Sequence, residues 1–234
     1  MNKRIWELDM IRGICLLFMI YGHIVYDVVY LFALAPLNDG GIFDWAVMHI
    51  GPTFIILSGI CATLGKHPIR RGLLVLGCGM LVTVVTCGMY LFGFANEGII
   101  IYFGVLHCLS VCMLLSPLFR KLPWWVLLPV GLAVIFMKDL LQGIQTSSLL
   151  LIPFGIYPAG FTTADYFPLI PCLGYFLFGS GLGQLLYKSK KSLLPEPKFF
   201  PFNALGFLGR HSLLIYLVHQ PIIAACVFIV SLFI

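Results

Sequence analysis

The chain is built from apolar runs of about 20 residues, the length an α-helix needs to cross a hydrocarbon core about 30 Å thick. This feature constrains the fold most, because backbone polar groups in lipid must be satisfied within a helix or around a closed barrel. The runs are continuous and lack the short alternating pattern of a transmembrane barrel. Composition agrees: 61% of the 234 residues are hydrophobic and 10% are charged, and the mean hydropathy is +1.04, outside the soluble range. The expected fold class is an all-α integral membrane protein, a single domain over residues 1–234 arranged as one bundle of about seven transmembrane helices.

The spans are expected at residues 8–34, 45–64, 71–92, 98–119, 124–141, 166–186 and 205–234. Thirteen of the fourteen Lys and Arg residues then fall on one side, with Lys138 alone opposite. The positive-inside rule puts the N-terminus in the cytoplasm and the C-terminus outside, in the cell (plasma) membrane. The fifth span is short and contains Pro129 and Gly131, yet that parity requires it. The net charge of +5 thus reports topology and contact with membrane lipids, not a nucleic-acid partner.

Other segments read differently. Residues 147–165 are apolar but broken by Pro153, Gly155, Pro158 and Gly160, which predicts an outer-face cap or re-entrant loop in place of an eighth span. The linker 188–201, with three prolines and four lysines, predicts a cytoplasmic surface connection. Lys3 and Arg4 followed by an apolar run imitate a signal peptide, but His23, Asp27 and Pro36 predict an uncleaved first span. The eight cysteines lie almost wholly inside spans, where they act as small hydrophobes; no disulfide framework and no metal site is expected.

Ionisable groups at membrane depth are costly and mark sites. Arg12 and His23 are eleven positions apart, which at 100° per residue returns to nearly the same helix face, roughly 16 Å further along. Asp27 follows one turn later on that face. His107 is expected about 13 Å below the outer end of the fourth span. His219 and Gln220 sit in the last span just before Pro221, which frees a carbonyl one turn back. His49 is shallower and reads as interhelical glue. Arg12 also has a plain reading, as a snorkelling cation or a partner of Asp9.

Five sequence elements carry a resemblance. Glu7-Leu8-Asp9-Met10-Ile11-Arg12-Gly13, with His23 beyond it, resembles the opening helix of the transmembrane acyltransferase superfamily. Phe54-Ile55-Ile56-Leu57-Ser58-Gly59 resembles the Ser-Gly element of its next span, and the run from Gly209-Arg210-His211-Ser212 to His219-Gln220-Pro221 resembles its closing helix. Together with Phe103-Gly104-Val105-Leu106-His107 and Asp165-Tyr166-Phe167-Pro168-Leu169, these are most similar to bacterial relatives of the heparan-alpha-glucosaminide N-acetyltransferase catalytic region. The resemblance implies transfer of an acyl group, usually acetyl from acetyl-CoA, across the membrane to a sugar or glycan acceptor.

On that reading Arg12, with a basic rim of Arg70, Arg71, Arg120 and Arg210, holds the phosphates of acyl-CoA. The thioester is delivered near His23, the expected catalytic base. Asp27 orients or stabilises the imidazole, and His107 and His219 are the further catalytic candidates. Two other classes stay open: a small proton-coupled transporter, since buried His and Asp also build proton relays, and a b-type haem protein with His23 and His107 as axial ligands. A homo-oligomer is compatible with any of them.

Overall fold

A computed structural model describes residues 4–31, 34, 41–141, 143–144, 146–195, 197 and 200–233. Lys3, Lys198 and the stretch 35–40 after the first expected span lie outside the described residues. The fold is helical: α1 (Trp6–Tyr26), α2 (Ile42–Leu64), α3 (Pro68–Leu91), α4 (Val105–Phe119), α5 (Trp124–Leu141), α6 (Leu169–Leu186), α7 (Phe200–Arg210) and α8 (Ser212–Ser231). Helix α1 runs on into a π-helical turn, Asp27–Leu31.

Among the described residues, six segments are long and apolar enough to cross a membrane: Trp6–Val29, Val47–Leu64, Pro68–Leu91, Trp124–Leu141, Leu169–Leu186 and Ser212–Ser231. Their outward side chains are apolar, with Val84 65% and Phe136 66% exposed, as a lipid-facing wall requires. The short fifth span is helical throughout despite Pro129. Two expected spans differ. The fourth helix starts at Val105 and not near residue 98, because Gly104 is extended and the Asp165 carboxylate accepts the Val105 N–H at 3.0 Å. Its 15 residues reach about 22 Å. The expected last span is divided into α7 and α8 at His211, whose backbone leaves helical geometry with φ −104° and ψ 18°.

The chain divides into two compact units, 1–54 with 190–234, and 55–189. In the first, α1 packs on α7 and α8. The α1–α7 crossing is backbone to backbone: a Cβ at Gly13 would collide with the Leu205 carbonyl, and one at Gly209 with the Asp9 carbonyl. Small residues at a crossing let helices approach closely in a membrane.

In the second unit α3 packs on α4 and α5 on α6. Gly59 lies against the Phe176 carbonyl, and Gly174 against the Gly131 carbonyl. Ser180 Oγ donates to the Phe176 carbonyl at 2.9 Å. Phe176, Cys108 and Cys112 are fully buried, and all eight cysteines are free thiols. Residues 147–165 contain a 3-10 helix, Leu149–Phe154, and pin onto the segment before α4. Thr163 Oγ1 donates to the Ile100 carbonyl at 2.6 Å, and Phe103 bridges Tyr166.

Candidate functional site

The start of α1 is strapped down by the chain that leads to α7. The Glu7 carboxylate, only 5% exposed, accepts the Leu193 N–H at 2.8 Å and the Ser192 hydroxyl. Trp6 Nε1 donates to the Leu194 carbonyl at 3.1 Å. One turn on, Arg12 Nη1 donates to Asp9 Oδ1 at 2.9 Å and reaches the Gly209 carbonyl at 3.5 Å. The guanidinium is therefore placed where Gly209 lets α7 touch α1. A part-exposed pair of this kind contributes only about 0–1 kcal/mol, so Asp9 orients Arg12 more than it stabilises the helix.

Further along, α1 and α8 meet through two polar contacts one turn apart. The imidazoles of His23 and His219 stand edge to face, with centroids 4.7 Å apart and planes inclined by 61°. Asp27, fully buried, accepts from Gln220 Nε2 at 2.9 and 3.2 Å through its two carboxylate oxygens. Those bonds run to Gln220, whereas the sequence alone pairs Asp27 with His23. The contacts work together because Asp27, in the π-helical turn that continues α1, follows His23 by four positions, about one turn.

The His219 tautomer follows from its partner. Nδ1 lies 2.6 Å from the Tyr216 carbonyl oxygen, which can only accept, so Nδ1 carries the proton and Nε2 of the neutral ring is a bare lone pair. That Nε2 and Gln220 Oε1 are buried acceptors with no hydrogen-bond partner among the described residues. Orphan acceptors at depth are rare in native proteins, and each calls for a donor such as a water, an ion, a ligand or a reacting group.

His107 is a different kind of histidine. In the unit 55–189, its Nδ1 accepts the Gly104 N–H at 3.3 Å. Its Nε2 lies 3.3 Å from Thr83 Oγ1, whose own proton goes to the Ile101 carbonyl at 2.7 Å. Nε2–H therefore donates to Thr83, and both ring nitrogens are engaged by protein groups. Gly79 leaves room for this ring, since a Cβ there would sit 3.3 Å from three of its atoms.

The basic residues divide as well. Arg12 and Arg210 belong to the first unit, and Arg70, Arg71 and Arg120 to the second. Arg120 Nη2 donates to the Thr63 and Gly65 carbonyls, the free acceptors at the end of α2. It also lines a cleft of about 350 Å³ with Lys121, Thr63 and Gln184. Arg70, Arg71 and Arg210 are exposed. His49 stacks on Trp45 at 4.4 Å and bonds its carbonyl at 2.8 Å. Among the described residues, no three His, Cys, Asp or Glu side chains gather as metal ligands.

The family model described as heparan-alpha-glucosaminide N-acetyltransferase, catalytic, matches residues 4–221. The chain belongs to that family. It is a membrane-embedded acyltransferase by that membership, with the histidine pair inside the matched region. No curated protein and no solved structure matches the chain. Two of the family-like motifs are the halves of one crossing: Gly13 of the first and Gly209 of the last sit on α1 and α7. Two others form one knot, with Asp165 capping α4 beside Phe103 and His107. Gln220 joins this cluster through Asp27, a partner that the sequence does not show. Its depth next to Pro221 was visible, but its pairing with Asp27 depends on how α1 and α8 meet.

Proposed function

We propose that the chain transfers an acetyl group from cytoplasmic acetyl-CoA to an amine or hydroxyl of a sugar or glycan on the outer side of the cell membrane. The observation that carries this reading is the His23–His219 pair held between α1 and α8, within a chain of the N-acetyltransferase catalytic family. Neutral imidazole is suited to take the acceptor's proton, a contribution of typically 10²- to 10⁴-fold in rate. His23 lies on the Arg12 face of α1 and is the proposed base.

Arg12 is the proposed contact for the donor's phosphates. A planar guanidinium binds phosphate through paired hydrogen bonds, and an oxyanion can replace the weak contact with Asp9. Asp27 and Gln220 hold α8 in register so that His219 faces His23. His107, with both nitrogens engaged, serves the turn before α4. The same engagement argues against His107 as a haem ligand, which needs a free ring lone pair.

The test is release of free CoA, with label transfer from radiolabelled acetyl-CoA, by the purified full-length protein against a panel of sugars that includes glucosamine. Turnover with label on a sugar supports the reading. Substrate flux in proteoliposomes without CoA release would favour a transporter and overturn it.

A further inference from the structure

We infer that His219 is the positioning residue that receives the charged form of His23, the role that sequence alone suggests for Asp27. The inference rests on the acyl-transfer reading above and assigns the second imidazole of its site. In the resting arrangement His219 Nε2 is a buried lone pair with no hydrogen-bond partner among the described residues. Its tautomer is set by the 2.6 Å bond to the Tyr216 carbonyl, and the residue is buried, with 7% exposure. Among the described residues, the His23 ring is the aromatic partner that stands against it from another helix.

The reaction supplies the missing donor. As the acceptor's nitrogen or oxygen attacks the thioester, its proton passes to His23, the new C–N or C–O bond forms and the C–S bond breaks. Imidazolium carries two N–H groups, where the neutral ring carries one. A centroid separation of 4.7 Å is short enough for one of them to be donated to His219 Nε2. The proton then leaves His23 for the CoA thiolate, giving the thiol, and His219 is again unpaired. An interaction made only while His23 is charged lowers the barrier without tightening substrate binding.

Tyr216 packs beside His219 with ring centroids 5.4 Å apart, and the Asp27 carboxylate, one turn beyond His23, bonds to Gln220. It keeps α8 in place and leaves the His23 proton to His219.

Two measurements test this on the full-length protein. In ¹⁵N-histidine spectra, the resonances lost in His219→Phe should be those of a neutral ring protonated at Nδ1 and bare at Nε2. A ring protonated at Nε2 overturns the inference whatever the activity. In steady-state assays with acetyl-CoA and glucosamine, His219→Phe should lower kcat about 10- to 100-fold with the KM for acetyl-CoA unchanged. His219→Gln, whose amide oxygen can stand at the Nε2 position, should recover most of that loss. Equal losses in both variants, or an unchanged kcat in His219→Phe, overturn the inference while leaving acyl transfer standing. Absence of any turnover in wild type with every sugar overturns the acyl-transfer reading itself.

Discussion

Gln220 closes on Asp27 with one amide nitrogen shared between two carboxylate oxygens, at 2.9 and 3.2 Å, across 193 positions of sequence. A buried carboxyl group in lipid needs donors it cannot take from water. Gln220 supplies them from the helix that also carries His219. The same contact that satisfies Asp27 thereby sets the rotation of α8 against α1.

Gln220→Leu strips the donor and leaves the Asp27 carboxyl buried and unsatisfied, a change expected to cost about 1–3 kcal/mol. Thermal unfolding in detergent should show a lowered midpoint. The double variant Asp27→Leu/Gln220→Leu should lose less than the two single changes added together. Strict additivity would mean that the pair does not couple the helices.

His23→Ala should reduce CoA release at least about 100-fold, with acetyl-CoA binding by calorimetry retained, because the lost group acts on the acceptor's proton. Near-normal turnover in the folded variant would move the base elsewhere.

Arg12→Ala should weaken acetyl-CoA binding about tenfold, and Arg12→Lys should restore it only in part, since an ammonium lacks the planar fork. If affinity is unchanged while the protein stays folded, Arg12 serves only its contacts with Asp9 and Gly209.

Gly209→Ala drives a methyl group into the Asp9 carbonyl. Overpacking of a tight contact costs typically about 1–3 kcal/mol, and here it also separates α7 from the helix that bears Arg12. Both the unfolding midpoint and acetyl-CoA affinity should fall, whereas Gly77→Ala on α3, where a Cβ meets nothing within 4 Å, should change neither.

With α4 counted as a seventh crossing beside the six longer segments, thirteen of the fourteen basic residues fall on one side, and the C-terminus should be extracytoplasmic. A phosphatase reporter fused after the last residue should be active and a fluorescent cytoplasmic reporter dark. The reverse pattern would require a different number of crossings.

Much of this architecture is local, and local physics is readable in a chain. Runs such as Trp124–Leu141 become helices because lipid leaves no other partner for their backbone groups, and Pro129 does not change that. Pro68 at the start of α3 and the polar, glycine-bearing surface of α7 act through neighbours close in sequence. The eleven-position step from Arg12 to His23 likewise follows from helix geometry alone.

The resemblance puts His23 first among the deep histidines, but sequence alone does not separate His107 from His219, the same residue in similar apolar surroundings. Tertiary structure separates them through hydrogen bonds. Thr83 and Gly104 occupy both nitrogens of His107, while Tyr216 occupies one nitrogen of His219 and leaves the other bare beside His23. Asp27 shows the same limit, since helical spacing pointed it at His23 and the approach of α8 gave it Gln220. Helix periodicity determines which residues share a face, but the lone pair that remains available depends on which groups a second helix brings within about 3 Å.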